Sequence, residues 1–144
     1  MIKFLFSLFQ PLKKGGYDVL LLLVRLFIGF LMLVHGLPKL LNFSELVASF
    51  PDPIGFGSEF ALILVLMAEV ACSVFLILGL LTRLTSFVLV VNMLVAAFIV
   101  HGADPFSAKE LAILYLAFYV ILLISGGGKY SLDSWIYNKY IKKN

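Results

Sequence analysis

The sequence predicts an all-α integral membrane protein, a four-helix bundle followed by an amphipathic helix at its C-terminal end. Three observations predict it. Of 144 residues, 62% are hydrophobic and only 13% are charged, whereas a soluble domain carries about 45–50% apolar and about 25% charged residues. The mean hydropathy is +1.10. The few charges also leave four nearly uninterrupted apolar stretches, each close to the ~20 residues a helix needs to cross a bilayer. The 11 Gly and 5 Pro follow no repeat, and the length allows one domain, taken as 1–144.

Residues 1–13 carry an apolar run, Phe4 to Phe9, that is too short for a signal peptide and lacks a small-residue cleavage site. It reads as an interfacial segment stopped by Pro11. The first span, about 18–41, has Arg25 as its only charge between Asp18 and Lys39. The second, about 60–82, has only Glu69 between Glu59 and Arg83. The third, about 84–102, has none and ends at His101; the fourth, about 109–126, has none beyond Glu110. Gly126-Gly127-Gly128-Lys129 lacks the spacing of a phosphate loop and serves as the stop of the fourth helix. In the tail, 131–143, Ser131 or Asp133 can cap a short helix. Leu132, Trp135, Ile136 and Tyr140 share one face and Lys139, Lys142 and Lys143 lie near the other, the pattern of a helix lying on a membrane surface.

Lysine and arginine set the orientation. Lys3, Lys13 and Lys14 precede the first span, Arg83 sits between the second and third, and Lys129, Lys139, Lys142 and Lys143 follow the fourth. The other connections carry Lys39 and Lys109 against Glu45, Asp52, Glu59, Asp104 and Glu110. The positive-inside rule then places both termini in the cytoplasm, in a multi-pass protein of the bacterial inner membrane. The net charge of +3 reflects this orientation and implies no nucleic acid. The connection 42–58, with Pro51-Asp52-Pro53 and Gly55-Phe56-Gly57, is expected to pack over the outer mouth of the bundle as a connector or lid.

One cysteine, Cys72, rules out an intrachain disulfide and CxxC chemistry; it reads as a small buried residue. No metal-ligand spacing and no Ser/His/Asp nucleophile arrangement is present. Function speaks through the polar residues inside the spans, because a charge at the bilayer centre costs about 2.5–3.5 kcal/mol. Arg25, His35, Gly36 and Lys39 fall within an arc of about 100° on the first helix, with Gly29 beside them. The glycines permit close helix approach, and Pro38 removes the N–H that would bond the Val34 carbonyl, which predicts a kink.

Depths counted at 1.5 Å per residue place Glu69 between Arg25 below and His35 or Lys39 above. Two readings follow. One is a structural ion pair, Arg25–Glu69, fixing helix register. The other is a pocket in the outer half of the bundle, walled by the first three spans and built by His35, Lys39, Glu69, His101 and Glu110. A His/Glu cluster suits proton transfer, and a quinone headgroup needs such donors above a greasy tail site. Haem held by His35 and His101 is disfavoured, since neither lies in a haem motif.

The combination of Arg25-x3-Gly29-x5-His35-Gly36-x2-Lys39, Glu69 with the Leu78-Gly79-Leu80-Leu81-Thr82-Arg83 turn, Glu110-Leu111-Ala112-x2-Tyr115 and Gly126-Gly127-Gly128-Lys129-Tyr130-Ser131-Leu132-Asp133 resembles the DoxX family of small four-helix membrane proteins. The resemblance covers about residues 18–134. It implies a quinone-linked or redox-associated membrane setting. No cofactor-binding partner domain is visible in the sequence, so electrons would come from a separate redox partner protein, and whether the chain is itself an enzyme stays open. The alternatives are a non-catalytic accessory or assembly subunit of a membrane complex and, as a lesser one, a small-molecule or proton transporter. Four helices without an inverted repeat would need a homo-oligomer to form such a path.

Overall fold

The computed structural model of the protein describes residues 14–141. The expected interfacial segment before residue 14 and the basic pair Lys142 and Lys143 lie outside the described residues. Those described hold helices and turns and no strand. Four helices are long and apolar enough to span a membrane: α1 (Lys14–Leu41), α3 (Ser58–Leu78), α4 (Thr82–Val100) and α5 (Phe106–Ser125). A short α2 (Phe43–Leu46) follows α1, and α6 (Leu132–Ile136) runs on into a π-helical turn, Tyr137–Ile141. At 1.5 Å per residue, α3, α4 and α5 each match the ~30 Å hydrocarbon thickness. The 28-residue α1 overshoots it by about two turns.

Each long helix begins earlier than the spacing of charges suggests. Lys14, Ser58, Thr82 and Ser107 all lie in or beside first turns, where a polar side chain reaches the interface without breaking the helix. The helix ends are set by local chemistry. Gly79 (φ +69°) and Gly126 (φ +77°) take conformations that stop α3 and α5, which only glycine adopts without strain. α1 continues through Pro38 to Leu41. The Pro38 carbonyl accepts both the backbone N–H of Asn42 (3.0 Å) and its side-chain amide (2.9 Å), which closes the helix.

The helices pack in chain order around a ring: α1 against α3, α3 against α4, α4 against α5, and α5 back against α1. The buried core joins Ile28, Met32, Leu76, Leu89, Met93, Tyr115, Tyr119 and Leu122 from all four. The outside is as apolar as the inside, with Phe27, Phe30 and Ile124 exposed. Lipid is as good a solvent as the core for such side chains, so close packing and internal polar contacts hold the bundle together rather than apolar burial. The glycine stripe on α1 supplies that packing against α3. A methyl group on Gly29 would lie 2.7 Å from the Ile77 side chain, and one on Gly36 would lie 2.8 Å from Val70 and 2.9 Å from the Cβ of Glu69.

The connection after α2 is held by its own acid. Asp52 accepts N–H bonds from Gly55 (2.9 Å), Phe56 (3.2 Å) and Gly57 (2.7 Å). The Gly57 amide leads in holding the Asp52 carboxyl below its usual range; desolvation acts against it, and the Gly55 and Phe56 amides act with it. Phe56 then rests edge-on against Phe60 in the first turn of α3.

Candidate functional site

The sequence anticipates an ion pair between Arg25 and Glu69. The structure corrects it. Gly36, not Arg25, faces Glu69 across the α1–α3 contact. Arg25 and Gly36 are separated by 36 − 25 = 11 residues, about 16 Å along the helix, beyond the reach of a guanidinium. Arg25, 2% exposed, turns to the other end of the bundle. Its two terminal nitrogens donate to the carbonyls of Gly127 (2.5 Å) and Tyr130 (2.7 Å). Around it lies a compact knot. Ser131 donates to the Gly128 carbonyl (2.6 Å) and accepts from Ser134 N–H (3.1 Å), capping α6. The Asp133 carboxylate accepts from the backbone N–H groups of Leu81 (2.7 Å) and Thr82 (2.8 Å), capping α4. Asp18 accepts from Lys129 N–H (2.9 Å). A Cβ on Gly79 would strike the Arg25 guanidinium and Ser131, and one on Gly127 would strike Thr82 and Ser131.

Glu69 pairs with Lys39 instead. The ammonium reaches both carboxylate oxygens, at 2.7 and 2.6 Å, with the Glu69 side chain 7% and the Lys39 side chain 32% exposed. A buried carboxylate is thus tied to a lysine that opens toward the outside of the bundle, near the end of α1. The backbone carrying Glu69 is irregular, a π-helical turn over Met67–Cys72 inside α3. Such turns recur at functional sites because the added residue re-aims side chains. No feature of the sequence marks this turn.

His35 lies one turn before Lys39. Its ring is exposed and meets Tyr115 of α5 edge-on at 5.6 Å, and Tyr115 stacks on Tyr119 at 6.0 Å. The two tyrosines are 3% and 0% exposed. The wall of the site opposite α1 and α3 therefore includes α5, and not only α4 as the sequence suggests. Tyr115 was visible as part of a motif, but its burial beside His35 depends on how α5 closes the ring. The hydroxyls of Tyr119, Ser73 and Ser86 and the amide nitrogen of Asn92 are buried without a hydrogen-bond partner among the described residues. Cys72 packs half-buried against the same core.

His101 and Glu110 do not join this cluster. His101 Nδ1 pairs with Asp104 at 2.7 Å in the turn beyond α4. Glu110 is exposed on the first turns of α5. The Asp104 carboxylate in the turn satisfies His101, and Glu110 stays at the helix surface. Among the described residues no group of His, Cys, Asp and Glu is placed to hold a metal ion. The groove beside the loop is lined by Val47, Phe56, Glu59, Phe60 and Ile63 and includes none of the cluster side chains.

The arrangement places N–H donors of Lys39 and His35 beside the buried Glu69 carboxylate. Comparison with known proteins supplies the family but not the chemistry. Two relatives from Haemophilus influenzae are each described as an uncharacterized protein. One is 31% identical over 83% of this chain and 90% of its own length, the other 28% identical over 90% and 91%. No solved structure matches the chain. The DoxX family profile matches residues 20–102, a stretch that contains Arg25, Gly29, His35, Gly36, Lys39 and Glu69. The chain belongs to the DoxX family of membrane proteins.

Proposed function

We propose that this membrane protein is a quinone-linked subunit of a redox system, with the quinone headgroup taken at the Lys39–Glu69 pair. The observation that carries this reading is a carboxylate buried in an apolar bundle and bound to a partly exposed lysine, with an exposed histidine one turn away. An unpaired charge in this setting is costly, and ionisable groups within spans commonly mark ligand or proton pathways. A headgroup arriving from the lipid side meets His35 and Lys39 first, both N–H donors suited to its carbonyls. Reduction to the quinol consumes two electrons and two protons. Two protons taken up from water reach the headgroup through His35 and Glu69, each protonated before it donates, and a partner protein supplies the electrons.

Binding of a short-tailed quinone to the purified protein in detergent tests this reading. Glu69→Gln and His35→Ala are expected to weaken binding by about tenfold or more, the worth of one charge-assisted contact. Unchanged binding in both variants overturns it.

A second reading is favoured by the close contact at Gly36. There the Lys39–Glu69 pair fixes the register of α1 on α3 in an accessory subunit that stabilises a larger membrane complex. In that case the exchanged pair, Lys39→Glu with Glu69→Lys, restores folding lost in either single variant, and quinone binding is absent from the start. For orientation, we infer from the excess of Lys and Arg at the Arg83 end that this end faces the cytoplasm, and from the bacterial source of the two relatives that the bilayer is the bacterial inner membrane.

A further inference from the structure

A second site lies at the Arg83 end of the bundle, away from the Lys39–Glu69 pair. There a groove of about 420 Å³ is lined by Leu78, Lys129, Tyr130, Ser131, Leu132 and Trp135. Leu78 is the last residue of α3, so the groove sits at the level where the apolar span gives way to polar surroundings. Leu78, Leu132 and Trp135 make it largely apolar, Lys129 is the cation in its lining, and Lys139 lies beside it over the Trp135 ring. The Lys129 ammonium lies 5.7 Å from the centre of the Tyr130 ring. The Lys139 ammonium lies 4.6 Å from Trp135 and 5.2 Å from Tyr140. Neither ammonium has a carboxylate partner among the described residues.

The nearby acids are already engaged. Asp133 caps α4 through both of its oxygens, and one oxygen of Asp18 takes the Lys129 backbone N–H. The Ser131 hydroxyl is engaged on both its donor and acceptor sides, so recognition falls to the two lysines. An aromatic and apolar trough beside two ammonium groups that have no carboxylate partner among the described residues, at the edge of a membrane span, is complementary to one molecule always present there. That molecule is a phospholipid with its acyl chain against Leu78 and Leu132 and its anionic headgroup at the rim.

We propose that this groove is a binding site for an anionic phospholipid, held by Lys129 and Lys139 and seated on Trp135. The site is distinct from a general attraction of the basic tail for the membrane surface, because it depends on two particular lysines fixed on aromatic rings. It is also independent of the quinone reading.

Trp135 is the sole tryptophan of the chain and serves as the reporter. The full-length protein is placed in phosphatidylcholine vesicles containing a minor fraction of brominated lipid, either phosphatidylglycerol or phosphatidylcholine. The anionic brominated lipid is expected to quench Trp135 with an apparent affinity on the order of tenfold above the zwitterionic one, since each lysine near the surface contributes a several-fold preference. The double variant Lys129→Gln/Lys139→Gln should lose the preference, Lys129→Arg/Lys139→Arg should keep it, and Lys142→Gln/Lys143→Gln should keep it. Millimolar inorganic phosphate should not relieve the quenching, because the acyl chain is part of the ligand. Equal quenching by both lipids overturns the proposal. So does a preference that survives Lys129→Gln/Lys139→Gln and disappears in Lys142→Gln/Lys143→Gln, and so does relief by free phosphate.

Discussion

Arg25 is the buried cation whose surroundings are most fully specified. Its guanidinium spans two carbonyls of the loop that leaves α5, a task suited to a planar group with several fixed donors. Two charge-assisted bonds at about 1.5–3 kcal/mol each make Arg25→Ala a loss of about 3–6 kcal/mol. Arg25→Lys should recover only part of it. Thermal unfolding in detergent checks both, and equal stability of wild type and Arg25→Ala would remove the anchor role. Gly36 gives a second prediction. A methyl group there meets Val70 and the Cβ of Glu69 within 3 Å, so Gly36→Ala should cost about 1–3 kcal/mol by overpacking. Gly15→Ala meets nothing within 4 Å and should be neutral or mildly stabilising, because alanine is the better helix former.

Between α3 and α4 the chain reverses within three residues, and the strain there is visible. Leu81 holds φ 49°, ψ 42°, the left-handed region that costs a residue with a Cβ about 1–2 kcal/mol. Asp133, from the far end of the chain, holds it by accepting the Leu81 and Thr82 N–H groups. Asp133→Ala should therefore destabilise the bundle by about 0.5–2 kcal/mol as a lost cap, and Leu81→Gly should stabilise it by roughly the strain removed. If Leu81→Gly proves destabilising, its apolar contacts outweigh its backbone strain. The loop closed by Asp52 responds to pH. The folded carboxyl titrates below its unfolded counterpart, so its contribution is complete above the unfolded value and is lost as pH falls through the depressed folded value. The loop should remain protease-resistant at mildly acidic pH and open only below the usual carboxylate range. In Asp52→Asn that pH dependence should vanish.

At the scale of the whole molecule, the bundle is a ring of helices greasy on both sides, with a polar knot at one end and an ion pair toward the other. If the Arg83 end is cytoplasmic, Leu81→Cys in a Cys72→Ala background should react with a membrane-impermeant maleimide from the cytoplasmic side alone; labelling from outside would reverse the orientation. The sequence by itself determined the membrane class, the four helices, the stop of the fourth at Gly126 and the close approach at Gly29 and Gly36. Those features rest on hydropathy and on backbone permissiveness, which are properties of short stretches of chain. Only the tertiary structure decided the partners of the buried charges. Arg25 could not be matched to Gly127 and Tyr130 from sequence, because its acceptors are backbone carbonyls that any residue carries, more than a hundred positions away. Glu69 could not be assigned to Lys39 rather than Arg25, because that choice depends on the axial register of α1 on α3. His101 and Glu110 share an end with Lys39 in the linear order of the spans, yet His101 pairs with Asp104 in its own turn and Glu110 lies exposed on α5. Helix periodicity fixes which face a residue occupies, whereas the contact between faces depends on how the helices slide and close, and that is settled by packing around the glycines and by the knot at Arg25.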